Sequence, residues 1–426
     1  MSDPIETGFA PPRGMRDFYP EEMAVRNAVF AAWAAAARQS GFVQYDACVV
    51  ENLDLLKRKG GEEIADQLYT FQDKSGRDLA LRAEMTPTLA RMVAARQTQL
   101  PLPLKWFTIA QCFRYERMSR GRKREHYQWN LDIIGEESVS AEAEVVATAV
   151  RALAKLGLGP ADAQVRVNSR ALLGDLFNRA GIAAGHHAAI FLALDKRGKI
   201  ADAEIATLLS QQGLDAAAVE AAFKVMGIRT FDEALAMLGA ETPASAELSA
   251  FFNLCADHGV RDSVVFDISI IRGLGYYTGI VFECFDTARQ FRAIFGGGRY
   301  NNLLAMLGGK PMGAVGIGFG DVVIVEVLAE MGRLPAVHEE GLIHVGYMDE
   351  NQRSVAIRLA ATLRSQGRNV NLGLCREKPK AFFSRAGRTG IGEAIYVGPD
   401  DVTRGVVRVK NMADRTEREM PLQGPA

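Results

Sequence analysis

Between Phe113 and Gly135, hydrophobic and polar residues alternate with a period of two on both sides of a basic segment. Phe113 and Tyr115 alternate with Arg114 and Glu116; beyond the basic segment Tyr127, Trp129, Leu131 and Ile133 alternate with Gln128, Asn130 and Asp132. Such alternation predicts two strands, each with an apolar and a polar face. Paired antiparallel, they would turn Arg114, Glu116, Gln128 and Asp132 onto faces that line a common pocket. The loop between them holds Arg117, Arg120, Arg122, Lys123 and Arg124. That density of cations suits phosphate, and equally suits a solvated turn.

The period lengthens elsewhere. From Glu21 to Ser40 the apolar residues Val25, Ala28, Val29, Ala32 and Trp33 fall at helical spacing, predicting an amphipathic helix after Pro20 and before Gly41. Phe42 to Val50 reads as a strand. Between Gly159 and Asp262 the chain is rich in Ala, Leu and Glu, with helices expected at Asp202 to Gln212, Ala216 to Met226 and Ser245 to His258. Arg333 to Gly341 reads as a linker. After it, Leu342 to Tyr347, Arg353 to Gln366 and Val370 to Leu374 predict strand, helix and strand, with further strands at Glu393 to Val397 and Gly405 to Val409.

Composition narrows the class. A chain of 426 residues that is 48% hydrophobic exceeds one ordinary core, so two or three domains are expected. The N-terminus lacks a basic segment followed by an apolar run, and the longest apolar stretch, near Ala28 to Ala37, is too short for a bilayer. A cytoplasmic protein with no membrane partner is therefore expected. Five cysteines without CxxC spacing fit reduced, buried thiols, and the six scattered histidines suggest no metal site. The net charge of −1 conceals an asymmetry: residues 341–426 carry 14 Lys and Arg against 9 Asp and Glu. A basic C-terminal module suits a polyanion, although many indifferent surfaces carry as much.

The segment FRYERMSRGRKREHYQWNLDIIG resembles motif 2 of the class II aminoacyl-tRNA synthetases, and is most similar to their histidyl-tRNA synthetase branch. PPRGMRDFYP from Pro11, LRAEMTPTLAR from Leu81, RGLGYYTG from Arg272 and GGGRYNNL from Gly296 follow that family's order over most of the chain. The resemblance implies an α+β catalytic core, with an antiparallel sheet flanked by helices, over residues 1–332. It also implies a helical insertion at about 181–259, a linker at 333–340 and an α/β anticodon-binding-like domain at 341–426. The helix and strand from Glu21 to Val50 resemble motif 1, which builds a homodimer interface in this family.

What the resemblance implies chemically is the joining of L-histidine to ATP, held with Mg²⁺, followed by transfer of histidine to tRNA(His). Bringing a carboxylate against the α-phosphate gathers negative charge, so cations must surround the reacting atoms. The carboxylate is already ionised, and no general base is needed. By resemblance Arg114 and Arg272 are the catalytic pair, Arg114 on the α-phosphate and Arg272 between it and the histidine carboxylate. Glu84, with Thr86 and Gln128, would hold the ammonium group; Asp132, Tyr276 and Tyr277 would read the imidazole, since buried polar groups left unpaired penalise isosteres. ATP would also meet Glu116, Arg122 and Arg299. Arg117, Arg120, Lys123 and Arg124 are candidates for tRNA contact. The glycine-rich segments match neither a P-loop nor a dinucleotide fingerprint, and by resemblance line the ATP pocket with backbone.

Four positions depart from the family's usual pattern. Cys48 stands for a proline, Gly275 for the Asp of RGLDYY, Asn301 for the Asp after GGRY, and Val323 lies near an expected motif 3 arginine. That arginine normally contacts the γ-phosphate, so Arg122 or Arg299 compensates, or ATP use is impaired. Two rival readings follow from the same residues: a regulatory paralogue that partners ATP phosphoribosyltransferase, and a histidine or RNA sensor.

Overall fold

A computed structural model describes residues 10–58, 66–194, 200–271, 277–335, 341–388 and 392–422. It forms two compact units, residues 1–335 and 336–426. Helix α1 (Pro20–Gln39) opens the first unit with proline in its first turn and Glu21 and Glu22 at its N-terminus, where acidic side chains complement the helix dipole. Its buried positions are Val29, Trp33, Ala36 and Ala37. The spacing four, three, one gives a stripe set further toward the C-terminus than the apolar pattern suggested.

Eight strands make the central sheet: β1 (Val43–Gln44), β2 (Leu104–Phe113), β3 (Glu125–Ile134), β4 (Ala163–Ser169), β5 (Val264–Phe266), β6 (Ile280–Asp286), β7 (Phe295–Arg299) and β8 (Ala314–Gly320). Their order is β1-β2-β3-β8-β7-β6-β4-β5. Pairing is antiparallel from β2 through to β4 and parallel only at the two ends, β1 with β2 and β4 with β5. The antiparallel core expected from the sequence is therefore present. Its flanking helices include α2 (Thr86–Arg96), α3 (Ser140–Lys155) and α4 (Asp321–Glu330).

Alternation on β3 sorts its two faces. Trp129, Leu131 and Ile133 enter the main core, where Trp33 of α1 stacks on Trp129 at 6.0 Å and meets Phe319 of β8 at 5.0 Å. Burying each such ring contributes about 2 kcal/mol. The opposite face of β3 presents Gln128, Asn130 and Asp132. Helices run from Arg170–Arg179 to Pro243–Asp257 between β4 and β5, and the buried residues of these helices join the same core.

Two expectations are corrected. The strand expected over Phe42 to Val50 is split into β1 and a separate strand, Val50–Asn52, which belongs to a small three-stranded sheet with Thr70–Gln72 and Asp78–Leu81. Between the two strands, residues 45–48 join no strand, and the Asp46 carboxylate accepts from the Ala47 amide at 2.7 Å and from Arg82 Nη1 at 3.3 Å. The first strand of the motif 2 hairpin begins earlier, at Leu104, and ends at Phe113. Arg114 and Glu116 consequently lie just past its end.

The second unit is a five-stranded sheet of β9 (Ile343–Tyr347), β10 (Val370–Leu372), β11 (Glu393–Val397), β12 (Val406–Asn411) and β13 (Glu417–Pro421), ordered β10-β9-β11-β12-β13. Helix α5 (Glu350–Ser365) covers it through Ala356, Leu359 and Leu363. The helices Pro379–Arg388 and Pro399–Arg404 and the strand β13 are additions to the pattern read from the sequence.

Candidate active site

A cleft of about 1270 Å³ opens on the central sheet of the first unit. Its floor is nearly free of side chains where Gly296 of β7 and Gly318 and Gly320 of β8 line it. Register explains why glycine is required. Gly316 pairs with Asp132, and Gly320 with Gln128. A Cβ on Gly316 would lie 2.0 Å from Asp132 Oδ1, and one on Gly318 would lie 2.7 Å from Gln128 Nε2. The two polar side chains of β3 thus lie flat over bare backbone of β8.

Arg114, Glu116, Arg122, Lys123 and Gln128 all line the cleft, so the motif 2 hairpin supplies one wall. Arg114 is held at the strand end: its amide donates to the Arg124 carbonyl at 2.9 Å and its Nε to the Ala83 carbonyl at 3.1 Å. Ala83 directly precedes Glu84, which ties motif 2 to the RAEMT segment. Arg122 Nε pairs with Glu116 at 2.8 Å. Burial, opposed by Glu116 and reinforced by the neighbouring Arg292 and Arg114 cations, lowers the Arg122 guanidinium below its ordinary range. Seven Lys and Arg line the cleft against three carboxylates. Such an excess fits a polyanionic ligand.

The loop tip is docked rather than free. The Gly121 amide donates to Glu326 of α4 at 3.1 Å, Arg120 pairs with Glu330 at 2.9 Å, and its guanidinium lies 4.4 Å from the centre of the Phe291 ring. Arg124 covers the Tyr115 ring at 4.0 Å and its amide donates to Gly14. Arg117 and Lys123 are exposed. Of the four candidates for tRNA contact, Arg120 and Arg124 therefore already have protein partners.

Asp132 is buried, and Tyr300 of the GGGRY segment donates its hydroxyl to it. Tyr45 is close enough for the Asp132 charge to act on it; burial first, and that carboxylate second, hold its hydroxyl well above the ordinary range. Neither tyrosine was picked out from the sequence. The signal for Tyr300 lay in its own motif, whereas Tyr45 follows β1 with no pattern around it. Tyr277 is buried beside Val281 and Tyr300, and its carbonyl accepts from Arg170 Nη1 at 3.1 Å. Thr86 opens α2 and Glu84 stands just before it, both half-buried. Arg272, Gly275 and Tyr276 lie outside the described residues.

Arg299 is placed elsewhere. It is buried in a two-pronged ion pair with Glu142 of α3, with further bonds to the Glu136 and Ser138 carbonyls at 3.0 Å each. These partners bind every guanidinium nitrogen, and the residue is not among those lining the cleft. Asn301 accepts from the Ala314 amide at 3.2 Å and braces the turn after β7. Cys48 is exposed, 3.7 Å from the Glu51 carboxylate.

His126 also lines the cleft, and sequence reasoning passed over it. Burial, then Arg114 and Arg16, lower its pKa to about 3, so the ring is neutral at any working pH. Arg16, from the PPRGMRDFYP segment, bonds Glu125 at the start of β3 and Asp321 at the start of α4. Val322 and Val323, the next residues of α4, line the cleft with no charge.

Residues 14–320 match the family model described as "Histidyl-tRNA synthetase", and residues 336–424 the one described as "Anticodon binding domain". The chain is 40% identical over 412 residues to a chloroplastic/mitochondrial histidine–tRNA ligase of Arabidopsis thaliana, covering 97% of this chain and 85% of the relative. It is 36% identical to the histidine–tRNA ligase of Opitutus terrae, covering 96% and 95%. In fold it is similar to the crystal structure of histidyl-tRNA synthetase from Nostoc sp. PCC 7120, with a TM-score of 0.83 at 22% identity and 97% of each chain covered.

Proposed function

The chain belongs to the histidyl-tRNA synthetase family and is an ATP-dependent histidine–tRNA ligase, and we propose that the cleft on the central sheet makes histidyl-adenylate. The observation that carries this assignment of the site is the cation-rich wall of motif 2 standing over a glycine-backed floor, with Gln128 lying over Gly318 in the cleft and Asp132 over Gly316 further along β8, outside the cleft lining. ATP, as its Mg²⁺ complex, would rest its base and ribose on the bare backbone. Its α-phosphate would face Arg114, which the Ala83 and Arg124 contacts hold in place. Histidine would take the Glu84, Thr86 and Gln128 end, its imidazole turned toward the Asp132 and Tyr300 pair. The carboxylate then attacks the α-phosphorus and pyrophosphate leaves, with positioning and charge supplying the catalysis.

We assign Arg272 the place between carboxylate and phosphate, and Arg117 and Lys123 the approach of tRNA(His) to the loop. The second unit, matching an anticodon-binding domain, would take the other end of that tRNA. A homodimer is part of the same reading. Its support is the exposure of Val43, Val49 and Val50 along the edges that follow α1, apolar surface of the kind that marks an interface. No helix among the described residues is long and apolar enough to cross a membrane. We place the protein in the cytoplasm, a reading supported by its five free cysteines.

Exchange of labelled pyrophosphate into ATP tests the reading. It should depend on histidine and on no other amino acid, and Arg114→Ala should reduce it by at least a thousandfold, about 4 kcal/mol of transition-state stabilisation. Absence of exchange in protein that still binds histidine would overturn it in favour of a regulatory or sensing paralogue.

A further inference from the structure

One cation of the cleft lies between the recognisable motifs. Arg292 follows Phe291 in the hairpin loop joining β6 to β7, is exposed, and lines the cleft. Among the described residues it makes no hydrogen bond or ion pair. The loop that carries it is fixed: buried Asp286 accepts from the Gln290 amide at 2.9 Å and the Phe291 amide at 3.1 Å, and Arg120 of the motif 2 loop covers the Phe291 ring. The arginine is thus set in place by its backbone while its charged end is left unused.

Its position is also specific. A Cβ built on Gly121 would touch Val323 Cγ2 at 3.3 Å and Arg292 Cδ at 3.4 Å, so the motif 2 loop, the start of α4 and the Arg292 stem converge on one spot. Val323 brings no charge there. The Arg292 cation is close enough to lower the Arg122 guanidinium, so two arginines share this corner with Glu116 as the carboxylate paired to one of them. Like charges held together in a cleft are stabilised when an anion bridges them.

Resting on the reading of the cleft as the ATP site, we propose that Arg292 is a phosphate-binding residue that holds the terminal phosphates of ATP together with Arg122, in the corner where Val323 offers no charge. The proposal reassigns the compensation expected of Arg299, whose guanidinium is consumed by Glu142. It leaves Arg122 as the partner cation.

Full-length Arg292→Ala is compared with the parent in histidine-dependent pyrophosphate exchange and in direct binding of ATP, AMP and histidine. The substitution should raise KM for ATP and weaken ATP binding about tenfold or more, the loss expected for a charge-assisted contact, while AMP and histidine bind within twofold of the parent. Unchanged histidine binding reports an intact fold. An ATP affinity within twofold of the parent overturns the proposal, as does an equal loss of ATP and AMP binding. If the parent itself shows no exchange, the ligase reading fails, and the ATP against AMP comparison still decides the role of Arg292.

Discussion

Arg16 Nη2 donates to Asp321 Oδ2 at 2.9 Å across 305 residues of sequence, and the same carboxylate accepts from the Tyr127 amide at 2.8 Å through its other oxygen. With the bond from Arg16 to Glu125, one guanidinium joins the N-terminal segment, the strand that carries Gln128 and Asp132, and the helix that begins at the cleft. Burial raises the Asp321 carboxyl, with Arg16 and the Tyr127 amide opposing it. Asp321→Ala strips Arg16 and Tyr127 of a partner at once. It should cost about 3 kcal/mol in denaturant unfolding, and Asp321→Asn, which keeps an acceptor, clearly less. Equal losses would contradict the double role.

Arg299 and Glu142 make a second buried pair, with the side chains 5% and 0% exposed. Removing one charge leaves the other without compensation. Glu142→Ala is expected to lower stability by about 3–5 kcal/mol, measured from the denaturation midpoint. In the protein that remains folded, KM for ATP should stay within twofold. A selective rise in KM would restore Arg299 to the nucleotide site.

The glycines of β8 make a sharper test of the proposed histidine pocket. Gly316→Ala places a methyl group where Asp132 Oδ1 now lies, and since the aspartate is buried it has little room to move. KM for histidine should rise at least tenfold, with a smaller effect on ATP. Gly318→Ala meets the end of the Gln128 side chain, a softer contact, and should be milder. Steady-state exchange kinetics with each substrate varied in turn would separate the two.

His126 gives a pH dependence with a definite sign. Its folded pKa of about 3 lies below the ordinary value near 6.5, so its contribution to stability is fully present above about pH 6.5 and is lost as pH falls toward 3. The loss can reach about 1.4 kcal/mol per pH unit within that window. His126→Gln should flatten the acid limb of the unfolding midpoint against pH. An unchanged limb would remove His126 as its cause.

Period-two alternation made β3 legible from Tyr127 to Ile133, because one face meets Trp33 and the other does not. The ends of elements were less legible. The Arg114 amide still bonds the Arg124 carbonyl one residue past β2, the run after α1 breaks over residues 45–48, and the alternation marks neither end. Arg114 and Gln128 announced themselves by motif. Arg299 did too, but its partner lies 157 residues away on α3, and a motif carries no record of a distant carboxylate. Arg292, in the plain sequence RQFRA, had no signal at all; only the folded hairpin sets it beside Arg122. The use of Gly316 likewise depends on which residue it faces.

That facing has a consequence for how the enzyme matures. Sliding β8 by one residue against β3 would put Val315 or Ile317 opposite Asp132 and fill the recess with a branched side chain. A chain with its helices formed and its middle strands misaligned would lose the place proposed for the amino acid. On the proposed seating of histidine beside Asp132, affinity for the amino acid would act as a proofreader of assembly: the small molecule would select the one alignment that can receive it, and supplying it during refolding should enrich correctly zipped protein over its misaligned competitors.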